Sequence, residues 1–108
     1  MKEKEEIKRN FELNYEGYEK HLVVLREDES LKGVQYLFRF DNEYGASVIK
    51  YGYSYGGEKD LWELAVIKYT DSLYDKYHLV YDTPITDDVL GYLTDEQVRD
   101  TLKQIKEL

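Results

Sequence analysis

Two histidines, His21 and His78, are the first residues to consider for metal ligation or base catalysis, and neither has a partner at ligand spacing. A zinc site needs three or four converging donors. The chain has no cysteine, which excludes thiolate ligands, a thiolate nucleophile and disulfides, and fits a reducing compartment. No Gly-x-Ser-x-Gly elbow occurs. Tyr55-Gly56-Gly57 is rich in glycine but lacks the lysine and helix start of a phosphate loop. Asp82, Asp87 and Asp88 flank the single proline, Pro84, and offer hard oxygen donors for a divalent cation. Their spacing lacks the alternating order of a calcium loop, and Asp87 and Asp88 suit the cap of a short helical turn. These observations predict no catalytic residue, no metal site and no cofactor, hence a protein that is not an enzyme.

The residues left over suit contact rather than reaction. Twelve tyrosines dominate the aromatic set, and tyrosine packs its ring while offering a polar tip to solvent or a partner. The net charge of −8 disfavours nucleic acid and anionic lipid as direct partners, because both repel an acidic surface. Clustered carboxylates can instead imitate phosphates in a basic groove of another protein. Candidate partner-binding residues are Asp41, Glu43, Glu58 and Asp60 in the strand-connecting loops, with Tyr44, Tyr53 and Tyr55.

The elements that must carry these residues follow from periodicity. Ile7, Phe11, Tyr15, Tyr18, Leu22 and Leu25 recur at steps of three and four, which predicts an N-terminal helix from Lys2 to about Asp28, long or broken near Gly17. A competing reading makes His21 to Arg26 a strand, through the apolar run Leu22 to Leu25. Past Gly33 the period becomes two. Val34, Tyr36, Phe38 and Phe40 alternate along one strand, and Asp41 to Gly45 supply a turn. A second strand is expected from about Ala46 to Tyr55, with Ile49, Tyr51, Tyr53 and Tyr55 on one face. A third, from about Leu61 to Tyr69, is apolar on both faces and therefore central. A fourth is expected from about Lys76 to Tyr81. Thr94 with Gln97 forms a capping-box pattern ahead of Val98, Leu102, Ile105 and Leu108, the stripe of a final helix. The fold class is α+β: a four-stranded antiparallel meander flanked by an N-terminal and a C-terminal helix. It forms one domain, with a helical extension over 1–32, the meander over 33–82 and a helical C-terminus over 83–108. No apolar run approaches the roughly 20 residues of a spanning helix, and nothing resembles a signal peptide.

The words Phe38-Arg39-Phe40, Asn42 to Ile49, Leu61 to Ile67 and Tyr81 to Leu93 give the stretch from Tyr36 to Leu93 a likeness. It resembles a group of small accessory proteins encoded by phages and prophages. Residues 1 to about 30 depart from that group as an addition at the N-terminus. The resemblance implies action in the host bacterial cytoplasm and brings no residue-level mechanism. The expected function is inhibition of a host defence protein, such as a CRISPR-Cas nuclease, with acidic mimicry of nucleic acid as one mechanism. The alternatives are a structural or regulatory phage protein that acts as a homo-oligomer, a homodimer through the N-terminal helix being one form, and an enzyme or small-ligand binder built on Asp82, Asp87 and Asp88.

Overall fold

The computed structural model describes residues 10–71 and 76–108. Its sheet is antiparallel throughout. Strands β1 (Leu22–Asp28), β2 (Gly33–Arg39), β3 (Tyr44–Lys50), β4 (Trp62–Tyr69) and β5 (Tyr77–Leu79) follow one another in meander order. A further short strand, β6 (Leu90–Leu93), pairs with Trp62 and Leu64 of β4, while β5 pairs with Ile67 to Tyr69. The two therefore divide one edge of β4 between them, and β4 is central, as its two apolar faces predict. Helix α1 (Asp95–Lys106) closes the chain.

One face of the sheet carries most of the core. Val34, Tyr36, Phe38 and Phe40 from β2 and its end, Ala46 and Val48 from β3, and Trp62, Leu64 and Val66 from β4 pack beneath Val98, Leu102 and Ile105 of α1. The opposite face holds a smaller cluster of Leu37, Ile67 and Tyr69 under Val23, Val24 and Tyr77. The capping box of α1 is complete: Thr94 accepts from the Gln97 main-chain N–H, and Gln97 accepts from that of Thr94. At the other end of the helix, Asn42 in the β2–β3 turn donates to the carbonyls of Ile105, Lys106 and Leu108, satisfying acceptors that a helix C-terminus leaves open.

Four expectations need correction. The N-terminal helix does not form within the described residues; its positions 2–9 lie outside them. Residues 10–18 run without regular structure, Glu19–His21 make one 3-10 turn, and Leu22 opens a strand, as the competing reading has it. Phe11, Leu13 and Tyr15 alternate inward across the core face, a period of two that the four-three stripe obscured. The sheet has more strands than four, and it begins at residue 22 rather than 33. β3 stops at Lys50, so Tyr51, Tyr53 and Tyr55 are loop residues: the Ser54 hydroxyl binds both the N–H and the carbonyl of Tyr51 and bends the chain. Thr86 to Val89 make no helical turn; the Thr86 hydroxyl instead bonds both main-chain groups of Asp88. Among the described residues, no helix is long and apolar enough to cross a membrane.

The segment 10–14 is held by side chains rather than by a β-ladder. Lys50, only 2% exposed, donates to the Asn10 carbonyl at 2.6 Å and to Asp60 Oδ1 at 2.7 Å, with its ammonium 4.2 Å from the centre of the Trp62 ring. Asp60 also accepts from the Asn10 N–H at 2.6 Å. The Tyr36 hydroxyl donates to the Phe11 carbonyl and accepts from the Leu13 N–H. Asp95 accepts from Trp62 Nε1 with one oxygen and from the Asn14 N–H with the other, and Arg99 donates to the Asn14 carbonyl. With no strand beside this segment among the described residues, its main-chain groups, from the buried Leu13 N–H to those of the exposed Asn10 and Asn14, are paired one by one with side chains.

Candidate partner-binding site

The seven residues singled out from sequence fall at two ends of the sheet, because β3 runs from the 41–43 turn to the loop at 51–61. At the first end, Asp41 is exposed, Glu43 forms an ion pair with Arg39, and Tyr44 is half-buried against the core with Lys68 Nζ 5.0 Å from its ring centre. The turn's main task is structural: Asn42 caps α1, and the Glu43 carbonyl accepts from the Tyr69 N–H. At the other end, Asp60 is engaged by Lys50 and Asn10. Tyr53, Tyr55 and Glu58 remain free to face outward.

These three come together with a residue that sequence reasoning missed. Gly52, Tyr53, Ser54, Tyr55, Gly56, Glu58, Lys59 and Tyr92 line a half-open cleft of about 260 Å³. Tyr53 is 72% exposed, Tyr55 60% and Tyr92 54%. Such side chains gain little from folding, since burial supplies the hydrophobic stabilisation. The Tyr51 ring stacks on that of Tyr53, centres 5.2 Å apart at 26°. Desolvation raises the pKa of Tyr51, with the neighbouring Tyr53 adding to it.

The loop that presents the rings is tightly fixed. Tyr55 donates its N–H to Glu63 Oε1, and its carbonyl accepts from the Tyr92 N–H at 3.1 Å. Gly57 donates to Ser54, while Lys59 and Leu61 both donate to the Gly56 carbonyl. Gly56, at φ +96°, lies so near β6 that a Cβ there would come within 2.8 Å of Tyr92 Cα. Tyr92 itself has φ +58°, a left-handed conformation that a bulky residue adopts at a cost of about 1 kcal/mol or more. Tyr92 sits in a four-residue strand of mixed pattern, so its only legible signal was an aromatic next to Gly91.

A larger cleft of about 380 Å³ opens beside the β1–β2 turn, lined by Phe11, Glu27, Asp28, Glu29, Lys32, Gly33 and Val34. Its Asp28 carboxylate accepts from Ser30 Oγ and the Leu31 N–H, bonds that lower its pKa and commit it to the turn. Asp82, Asp87 and Asp88 are exposed, and among the described residues no group of three His, Cys, Asp or Glu side chains is placed to hold a metal ion. His21 packs on Phe40 with ring centres 4.8 Å apart, and His78 lies exposed on β5. Neither is near the tyrosine cleft in the chain or in the sheet. No protein family, curated protein or solved structure matches this chain.

Proposed function

We propose that this chain is a non-enzymatic binding protein that blocks a bacterial defence protein, and that it grips its target through the tyrosine cleft. The observation that carries the contact site is the outward display of Tyr53, Tyr55 and Tyr92 on a loop pinned by hydrogen bonds, with Tyr92 held at positive φ. Rigid tyrosines lose little conformational entropy on contact and dominate binding energy at many interfaces. Strain retained beside an exposed aromatic cluster is a feature of functional sites. The likeness of residues 36–93 to phage accessory proteins supplies the class of target, a CRISPR-Cas nuclease being the example, and the host cytoplasm as the setting. Glu43 and Asp60 are each ion-paired within the chain, so the reading rests on the rings more than on a phosphate-like array of the four loop carboxylates.

The test is capture from host lysate at low salt by the native chain and by a Tyr53→Ala/Tyr55→Ala/Tyr92→Ala variant. The native chain should retrieve a nuclease or another defence component and inhibit it once purified, and the variant should lose both. Retrieval of no defence component, or equal retrieval by the variant, would count against the reading.

A second reading, a homo-oligomeric phage protein, is favoured by the outer edge of β1. That strand pairs with β2 alone among the described residues, and Leu25 and Leu31 are exposed on its hairpin. Free strand edges invite pairing with another chain. A mass in solution that stays at one chain across the accessible concentrations would rule it out.

A further inference from the structure

We infer that the tyrosine cleft takes an arginine side chain presented by a basic segment of the partner. This rests on the cleft being the contact site. The size comes first: drug-sized ligands fill pockets of roughly 300–1,000 Å³. At about 260 Å³ the space between Tyr53, Tyr55 and Tyr92 suits one long side chain.

Its chemistry selects a cation. Lys59 already places its ammonium 5.8 Å from the centre of the Tyr92 ring, so this face draws positive charge within the chain itself. The rings of Tyr44, Trp62 and Tyr69 each have their own internal cation, Lys68, Lys50 and Arg39 respectively. No such contact to Tyr53 or Tyr55 occurs among the described residues, and one face of Tyr53 is taken by Tyr51. Glu58 lines the same cleft and makes no ion pair among the described residues. An aromatic face beside an unpaired carboxylate fits a guanidinium better than an ammonium. Guanidinium is planar, weakly hydrated and able to stack while it forks two hydrogen bonds to a carboxylate. The net charge of −8 attracts the basic segment that would bear it.

The test uses a tetra-arginine peptide as probe, titrated calorimetrically into the full chain at low ionic strength and mapped by amide shifts in NMR. Tetra-lysine, tetra-citrulline and the neutral sugar maltotetraose serve as comparisons. Tetra-arginine should bind best, with shifts centred on residues 52–59 and 92. Glu58→Gln and Tyr53→Ala should each weaken it about tenfold, the scale of losing a charged hydrogen bond or an aromatic anchor. Lys59→Ala should tighten it, since it frees the Tyr92 face and removes a repelling charge. Citrulline, isosteric but neutral, should fail. Absence of tetra-arginine binding, equal binding of tetra-lysine with indifference to Glu58→Gln, or preference for citrulline or maltotetraose would each overturn the inference. If tetra-arginine fails while the triple tyrosine variant still loses the captured nuclease, the contact surface stands and its arginine preference falls. If tetra-arginine binds as expected while that variant keeps the nuclease, the cleft is real and its proposed use is wrong.

Discussion

Lys50 shows how much one side chain decides here. It occupies an inward position on β3, in phase with Ala46 and Val48, where a lysine has to be paired to be tolerated. Asp60 and the Asn10 carbonyl provide that pairing, and Trp62 covers the stem. Lys50→Ala therefore strips the anchor from residues 10–14 as well as opening a void. Breaking a buried pair costs roughly 3–5 kcal/mol, and the lower end applies because Asp60 still reaches water. Urea unfolding should show a loss of about 3 kcal/mol, and proteolysis N-terminal to Gly17 should accelerate. Lys50→Met, which keeps the stem on Trp62, should lose less. Tyr69 carries the alkaline limit. Burial is the main cause that pushes its hydroxyl up to about 12, with Tyr77 adding and Arg39 opposing. The folded chain favours the neutral form over the phenolate more strongly than the unfolded chain does, so the stabilisation is complete below pH 10, the ordinary tyrosine value, and is lost as pH rises from 10 to about 12. Tyr36 is raised as well, again mainly by burial, and adds in the same direction. The urea midpoint should fall over that window, and Tyr69→Phe should flatten the fall.

At the scale of elements, the parts legible in sequence were those where local chemistry and tertiary demand agree. Along β2 and the residue after it, Val34, Tyr36, Phe38 and Phe40 keep a period of two and are buried as the pattern requires, while Leu37 is buried on the other face. α1 is legible from Thr94 and Gln97, and the cap they predict is present. Thr94→Ala should cost about 1 kcal/mol in urea unfolding, the usual worth of an N-cap, with helix fraying visible as faster amide exchange at residues 95–97. Elsewhere two periods competed. Phe11, Tyr15 and Tyr18 fit a helix by spacing, whereas Phe11, Leu13 and Tyr15 fit an extended run, and contacts far along the chain choose the second. Those contacts come from Tyr36, Asp60 and Asp95, which no local window contains. The tyrosines at 51, 53 and 55 continue a strand rhythm past the point where Ser54 turns the chain. β6 was invisible for the opposite reason. Four residues with Gly91 inside carry no period, and only pairing with β4 makes them a strand. The candidate site was half legible on the same grounds: Tyr53, Tyr55 and Glu58 share one loop, while Tyr92 arrives from a distant segment.

For the molecule as a whole, charge and aromatic contact act at different distances and should separate in kinetics. The excess of 23 acidic over 15 basic residues sets a field felt across the encounter, and salt screens it beyond about 10 Å at 0.1 M. The rings act only at contact, where desolvation sets how long the complex lasts. Raising ionic strength from about 20 to about 200 mM should therefore slow association with a basic partner about tenfold and leave dissociation nearly unchanged. Tyr53→Ala/Tyr55→Ala should do the reverse, speeding dissociation while preserving the salt slope of association. Both tyrosines are exposed, so the unfolding free energy of this variant should stay within about 0.5 kcal/mol of the native value, which keeps a binding defect distinct from a folding one. Surface plasmon resonance against the captured partner at several salt concentrations reads both rates at once. A variant that slows association and leaves dissociation unchanged would mean that the rings steer rather than hold, and the proposal that the tyrosine cleft is the seat of affinity would then fall.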